Sequence, residues 1–447
     1  TVGAMTIASN GDVTFADGSD IITASAGTSN LRLGVNAGNS IASGGNYNVV
    51  LGDEAGTALT TGDSNVAIGF EALASEDTAG RNTAVGYRSL KTNNGGDNNT
   101  AVGENSGTAV TTGHNNTLIG QDAGEALTDA DYNVALGSDA LDADTLGSKS
   151  TAIGSSALGT QNFTTATDTF NVAVGYEAGA AVTTGVENTF IGGLAGDALN
   201  TGNVNVALGA RALGLDTKGN HSTALGYAAL DAQNFTTATD TYNTAVGSNA
   251  GGTVTTGVRN TLIGGLAGDA FTDADYNVAV GYAALSQDTL GSKSTALGYN
   301  ALNTQNFTTA TDTYNVAVGM SAGEAVTTGV QNTLIGGLAG DALTDADFNV
   351  AIGYLALSGD TLGSKSVAIG QTALRVQNFT TATDVFNTAV GHSAGTAVTT
   401  GISNVLIGGL AGDALTDADQ NVAVGTSALG ADTLGGKSVA IGNNALS

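Results

Sequence analysis

Four acidic turns are the first residues that could do chemistry. Asp129 and Asp131, Asp273 and Asp275, Asp345 and Asp347, and Asp417 and Asp419 each sit in a Thr-Asp-Ala-Asp tetrapeptide. Two carboxylates one residue apart on a loop, with backbone carbonyls close by, are oxygen donors of the kind calcium takes. Calcium is therefore the one cofactor the sequence suggests, against the alternative of turn-favouring aspartates that simply face water. The related turn "NTGNVN" (200–205) lacks both acids, so an ion is not integral to every such turn. The second candidate is the segment "QNFTTATD", present four times with Phe163, Phe235, Phe307 and Phe379 at its centre. A Thr-rich loop with one aromatic reads either as a contact ridge for glycans or a cell surface, or as an enlarged corner with the ring packed on its flank. Its Asn opens an Asn-x-Thr sequon at Asn162, Asn234, Asn306 and Asn378. Other motifs fail. "GGLAGDAL" has no Lys-Ser/Thr after its glycines, as a phosphate-binding loop requires. His114, His221 and His392 fall at unrelated places, without a carboxylate and nucleophile at useful spacing. No catalytic residues are assigned, and the chain reads as a non-enzyme.

The elements that must carry these loops are unusual. Of 447 residues, 67 are glycine and none is Pro, Cys or Trp. The glycines lack the three-residue period of collagen. A core must be built from Ala, Val, Leu, Ile and Thr, in thin layers, with no disulfide or thiolate metal site. The formal charge of -28 disfavours nucleic acid, whose phosphates need Lys and Arg, and favours solubility. No run resembles a membrane span.

A repeat explains the glycine. The unit reads Asn-(Thr/Val)-(Ala/Leu)-(Val/Ile/Leu)-Gly-x-x-Ala-(Gly/Leu), and its first glycine recurs from Gly34 to Gly442. After a first step of 18, the steps are 17 residues, except for 21 at Gly154 to Gly175, Gly226 to Gly247, Gly298 to Gly319 and Gly370 to Gly391. From Gly103 onward, three steps of 17 and one of 21 make a higher repeat of 72. Seventeen residues cannot fold alone but can form one coil of a solenoid. The short β-branched runs "NVAVG" and "NTLIG", each stopped by glycine, read as strands. The fold expected is all-β: a solenoid of stacked coils, a parallel β-roll or β-helix, with equivalent strands about 4.8 Å apart. The organisation expected is an N-terminal hairpin cap or attachment segment (1–29), irregular first coils (30–102) and the 72-residue super-repeats (103–447).

Within each strand, the positions one and three before the glycine share a face and are expected inside the coil. The middle position then points outward. It holds Ala in most coils, but Leu118, Phe190, Leu262, Leu334 and Leu406 in others. Strands apolar on both faces are covered on both, so these five residues are expected to form the core of a trimer. The Asn or Ser that opens each strand is expected to stack as a ladder or to serve as a turn residue. The repeat glycines are expected where a Cβ would clash or φ is positive.

"KSTAIGSSAL" (149–158), "KSVAIGQTAL" (365–374) and "KSVAIGNNAL" (437–446) resemble the head repeats of trimeric autotransporter adhesins of the YadA type. Similar repeats occur in bacteriophage tail fibres. The resemblance spans about residues 30–447 and implies a left-handed β-roll and a homotrimer. The 17-residue period departs from the roughly 14 of the adhesins. No residues here carry over a collagen-binding surface, and the adhesins' stalk and membrane barrel have no counterpart. The expected function is an extracellular structural fibre on a cell surface or virion, adhesive in one version and a phage receptor-binding fibre in another. The expected partner is the chain itself, with glycans or a cell surface as possible contacts. The last strand has no distinct cap after it, and an uncapped sheet end leaves head-to-tail polymerisation open as a further mode.

Overall fold

The computed structural model describes residues 26–447 and, before them, the backbone of two short strands. These strands, Thr6–Ile7 and Val13–Thr14, pair antiparallel with Ile7 opposite Val13; the turn expected at Asn10-Gly11 lies outside the described residues.

The molecule divides into two units, Thr1–Thr184 and Gly185–Ser447, and both are built from the same coil. Among the described residues, the first contains nine three-residue strands, from Leu31–Leu33 to Val172–Val174, and the second fifteen, from Thr189–Ile191 to Val439–Ile441. Within each unit, successive strands pair parallel and in register. Val278, Ala279 and Val280 face Thr295, Ala296 and Leu297, which in turn face Val316, Ala317 and Val318 across a 21-residue step. The longer step therefore leaves the register intact. This is the expected all-β parallel solenoid with a coil of 17 residues.

Both reasons offered for the repeat glycine hold together. Gly298 has φ of +146°, and a Cβ there would overlap the carbonyl oxygen of Gly319 in the next coil. Successive coils approach too closely at this corner for any side chain.

The sidedness expected for the strands is reversed. The middle residue points into the coil of its own chain: Leu118, Phe190, Leu262, Leu334 and Leu406, read as a trimer core, are all 0% exposed in the single chain. The flanking positions face out. The interior is so thin that a three-residue strand sends one side chain into it, and Ala fills it in most coils. A larger residue fits because glycine makes room four residues after the repeat glycine. A Cβ on Gly323 would lie 2.6 Å from Leu334, and one on Gly340 would lie 2.8 Å from it. Where the middle residues of a coil and of the next are both Ala, as at Ala296 and Ala317, that later position is the buried Leu302. The order Gly, Gly, Leu, Leu along each block and the exchange of Ala for Leu are thus one packing solution. Each such Leu contributes about 1.5–3 kcal/mol by its burial.

The Asn that opens most strands forms the expected ladder. Asn332 Oδ1 accepts from the backbone N–H of Asn349 at 2.9 Å, and Asn332 Nδ2 donates to the carbonyl of Ala346 at 2.7 Å. Each side chain thereby satisfies backbone groups that would otherwise be buried unpaired.

Candidate interaction surface

The outward face of the strands is the largest chemical feature of the molecule. One residue before the repeat glycine is always Val, Ile or Leu, and three before it is always Thr or Val, except Leu31. None of these positions is charged in any described coil. Leu297 is 45% exposed, Ile407 39% and Ile335 36%. An uncharged strip two side chains wide thus runs along each unit, open on the single chain. An exposed apolar patch of this continuity marks an interaction site.

Two exposed columns border the strip. The residue after the repeat glycine is often aromatic, and Phe70 stacks on Tyr87 at 5.6 Å and Tyr282 on Tyr299 at 5.8 Å between ring centres. On the other side, the residue before the strand-opening Asn or Ser sets a cation or a His against an aromatic at each long step. Lys149, Lys293 and Lys365 lie over Phe170, Tyr314 and Phe386 at 5.2–5.3 Å, and His221 stacks on Tyr242 at 5.0 Å. Each of the three lysines also pairs with an acid of the following insert, Asp168, Asp312 or Asp384.

The acidic turns serve the stack. Asp273 accepts from the hydroxyl of Thr256 at 2.6 Å and Asp275 from the backbone N–H of Val258 at 2.7 Å, both in the preceding coil. Asp345 and Asp347 repeat this with Thr328 and Val330, and Asp129 and Asp131 with Thr112 and His114. Asp419 takes the N–H of Ile402, and Asp417 faces the hydroxyl of Thr416. In three of the four turns, both acids thus accept from the preceding coil. Among the described residues, no three His, Cys, Asp or Glu side chains group closely enough to hold a metal ion.

The insert aromatics are also placed differently from the contact ridge. Phe163, Phe235, Phe307 and Phe379 are only 6–7% exposed. Each is held by its backbone: the N–H of Phe307 donates to Asp288 at 3.1 Å, and its carbonyl accepts from Thr289 at 2.8 Å. The ring of Phe379 packs against Gly363, where a Cβ would come within 2.9 Å. The burial of these rings agrees with the enlarged-corner reading. The extra residues add a second small ladder, in which Gly291–Ser292 pairs parallel with Thr311–Asp312. What remains exposed in the insert is Asn306, Thr308, Thr309, Ala310 and Asp312, and their equivalents.

Two columns escaped sequence reasoning. Nine residues before most repeat glycines stands a Thr whose hydroxyl donates to the next coil, as Thr272 does to the carbonyl of Thr289 at 3.1 Å. Seven residues after each repeat glycine, the interior residue is buried in every coil but the last, where Asp432 is half-buried, and it reads Leu127, Asp144, Gln161, Val182 in one block and Phe271, Asp288, Gln305, Val326 in another. Aligning the coils at a fixed offset from the glycine would have shown both.

No protein-family model, curated protein or solved structure matches the chain.

Proposed function

We propose that the chain is a structural subunit of an extracellular fibre, assembled as a homotrimer along the outward strip, and that it catalyses no reaction. The repetitive parallel solenoid is consistent with a structural fibrous subunit. The strip is the observation that carries the assembly. A partner for it must present apolar side chains at the same spacing of about 4.8 Å, coil after coil. A second copy of this chain, lying parallel, does so by construction. Covering the strip contributes on the order of 1 kcal/mol per coil, since each residue is already half-buried. Summed over many coils, that is an interface of the permanent kind. The bordering tyrosines and cations suit its rim. The number three is supported by the resemblance of "KSTAIGSSAL" to adhesin heads and by the closed symmetry that covers every strip. The charge of -28, carried off the strip, keeps one fibre from bundling with another.

Paired substitutions test the assignment of faces. Ile335→Asp and Leu297→Asp, both outward, should keep the far-UV circular dichroism of the folded chain while reducing the assembly to single chains. Leu334→Asp, inward, should unfold its coil whatever the state of assembly. If Ile335→Asp and Leu297→Asp left the oligomer intact, the strip would not be the interface.

A further inference from the structure

The segment Gln-Asn-Phe-Thr-Thr-Ala-Thr-Asp is identical in its four copies, beginning at Gln161, Gln233, Gln305 and Gln377. The two residues just before it differ every time: Gly159-Thr160, Asp231-Ala232, Asn303-Thr304 and Arg375-Val376. Most of the constant residues have a visible task. Gln305 bonds the buried Asp288 at 2.6 Å, Phe307 fills the corner, Thr311 caps the carbonyl of Thr309 at 2.9 Å, and Asp312 pairs with Lys293. Asn306 uses its Oδ1 to accept from Thr289 at 3.1 Å.

Two groups are left over in each copy. The Nδ2 of the Asn makes no hydrogen bond in the described structure, and neither does the hydroxyl of the Thr two residues later. Both residues are exposed in all four copies, at Asn162 and Thr164, Asn234 and Thr236, Asn306 and Thr308, and Asn378 and Thr380. These are the two groups that define an Asn-x-Thr acceptor. Aspartate would serve the Thr289 contact as well as asparagine does, so stacking alone does not explain the amide.

We propose that these four amide nitrogens are N-glycosylation sites. The nitrogen attacks the anomeric carbon of a sugar activated as a diphosphate ester. The N–C bond forms, the bond from that carbon to the phosphate oxygen breaks, the diphosphate leaves with the electron pair, and the amide proton passes to a base of the transferase. Within the second unit, the sites recur every fourth coil, roughly 19 Å apart at the strand spacing. Three other sequons supply internal controls. Thr100 and Thr117, which complete those at Asn98 and Asn115, lie inside paired strands. Asn220 already donates its amide to Asp240 at 3.1 Å. The inference is independent of self-association.

The test is peptide mapping by mass spectrometry of the protein isolated from the cells that naturally make it. It is paired with treatment of the purified folded protein by a soluble N-glycosyltransferase and a nucleotide-diphosphate hexose. Sugar is expected on Asn162, Asn234, Asn306 and Asn378, and not on Asn98, Asn115 or Asn220. Thr308→Val, which disturbs no hydrogen bond, should abolish the adduct at Asn306 and leave the other three. Four bare asparagines in the native protein would overturn the proposal, as would equal modification at Asn98 and Asn115.

Discussion

The 17-residue and 21-residue steps solve one problem in two ways, and the difference shows what the longer step is for. In a short step, an Asn reaches forward and accepts the next coil's backbone N–H, as Asn332 does for Asn349. Before each long step, the Asn is replaced by a Ser, at Ser150, Ser222, Ser294 and Ser366, whose arm is too short to do this. The insert supplies the missing acceptor. Thr313 Oγ1 lies 3.5 Å from the backbone nitrogen of Asn315, bonds Ser294 Oγ, and donates to the carbonyl of Ser292 at 3.0 Å. Gln305 completes the repair by donating to Ser294 at 2.9 Å and to Asp288 at 2.6 Å, and by accepting from Asn315 at 2.9 Å. The Ser and the four extra residues are one device.

The outer corner is altered, while the strand and its glycine are not. Gly298→Ala, at the start of a long step, and Gly281→Ala, at the start of a short one, should therefore be equally damaging. In both, the new methyl meets the backbone of the next repeat glycine at a positive φ. Each should lower local stability by more than about 4 kcal/mol, read as lost amide-exchange protection in the two flanking coils. Greater tolerance at Gly298 would mean that the longer step loosens the core.

The second-largest effect concerns the buried pair inside the coils. In the 72-residue blocks, Asp precedes Gln, as with Gln161 bonded to Asp144 at 2.5 Å. An earlier block has Glu76 bonded to Asn93 at the same interior position, with no insert after it. The long and short arms are exchanged, and the total length across the gap is preserved. Glu76→Asp and Asn93→Gln should each cost about 1–3 kcal/mol, because a buried polar group is left unmatched. The double variant should recover part of that loss, as a positive coupling in a double-mutant cycle. Additive losses would show that arm length is not what matters.

The fourth insert offers a smaller test made by the sequence itself. Val385 stands where Thr169, Thr241 and Thr313 supply the hydroxyl. Val385→Thr should stabilise its coil by about 0.5–1.5 kcal/mol, and Thr313→Val should destabilise its own by a similar amount. Amide exchange at Asn387 and Asn315 reads both.

The smallest effect is on pH dependence. Burial raises the carboxyls of Asp144 and Glu76 above their ordinary range, although hydrogen bonds from Gln161 and from backbone N–H groups pull the other way. The folded chain keeps these protons at pH values where the unfolded chain has released them. Stability thus falls as pH rises through the window between the ordinary and the raised values, and increases on acidification through it. Thermal unfolding should occur at a higher temperature at mildly acidic pH than at neutral pH. A lower one would contradict the sign.

The repeat, its strands and its register were legible because glycine and β-branched residues recur at fixed offsets, and the steric reason for each is local. The Asn ladder was legible for the same cause. Which face of Thr295-Ala296-Leu297 points inward was not. Period-two alternation separates two faces without labelling them, and with apolar residues on both, hydrophobicity does not break the tie. Volume does, since Ala and the Leu-against-Gly exchange mark the confined side. The acidic turns and the insert Phe residues were each left between two readings for a related reason. A loop read by itself shows a surface group, whereas the partners lie in the preceding coil, 17 residues away for Asp275 and 19 for Phe307.

The central claim is that the outward strip is covered by copies of the same chain. Sedimentation equilibrium of the purified native chain tests it most directly. Three chain masses, constant across the accessible concentration range, is the result predicted. A monodisperse single chain with the same folded circular dichroism would contradict it.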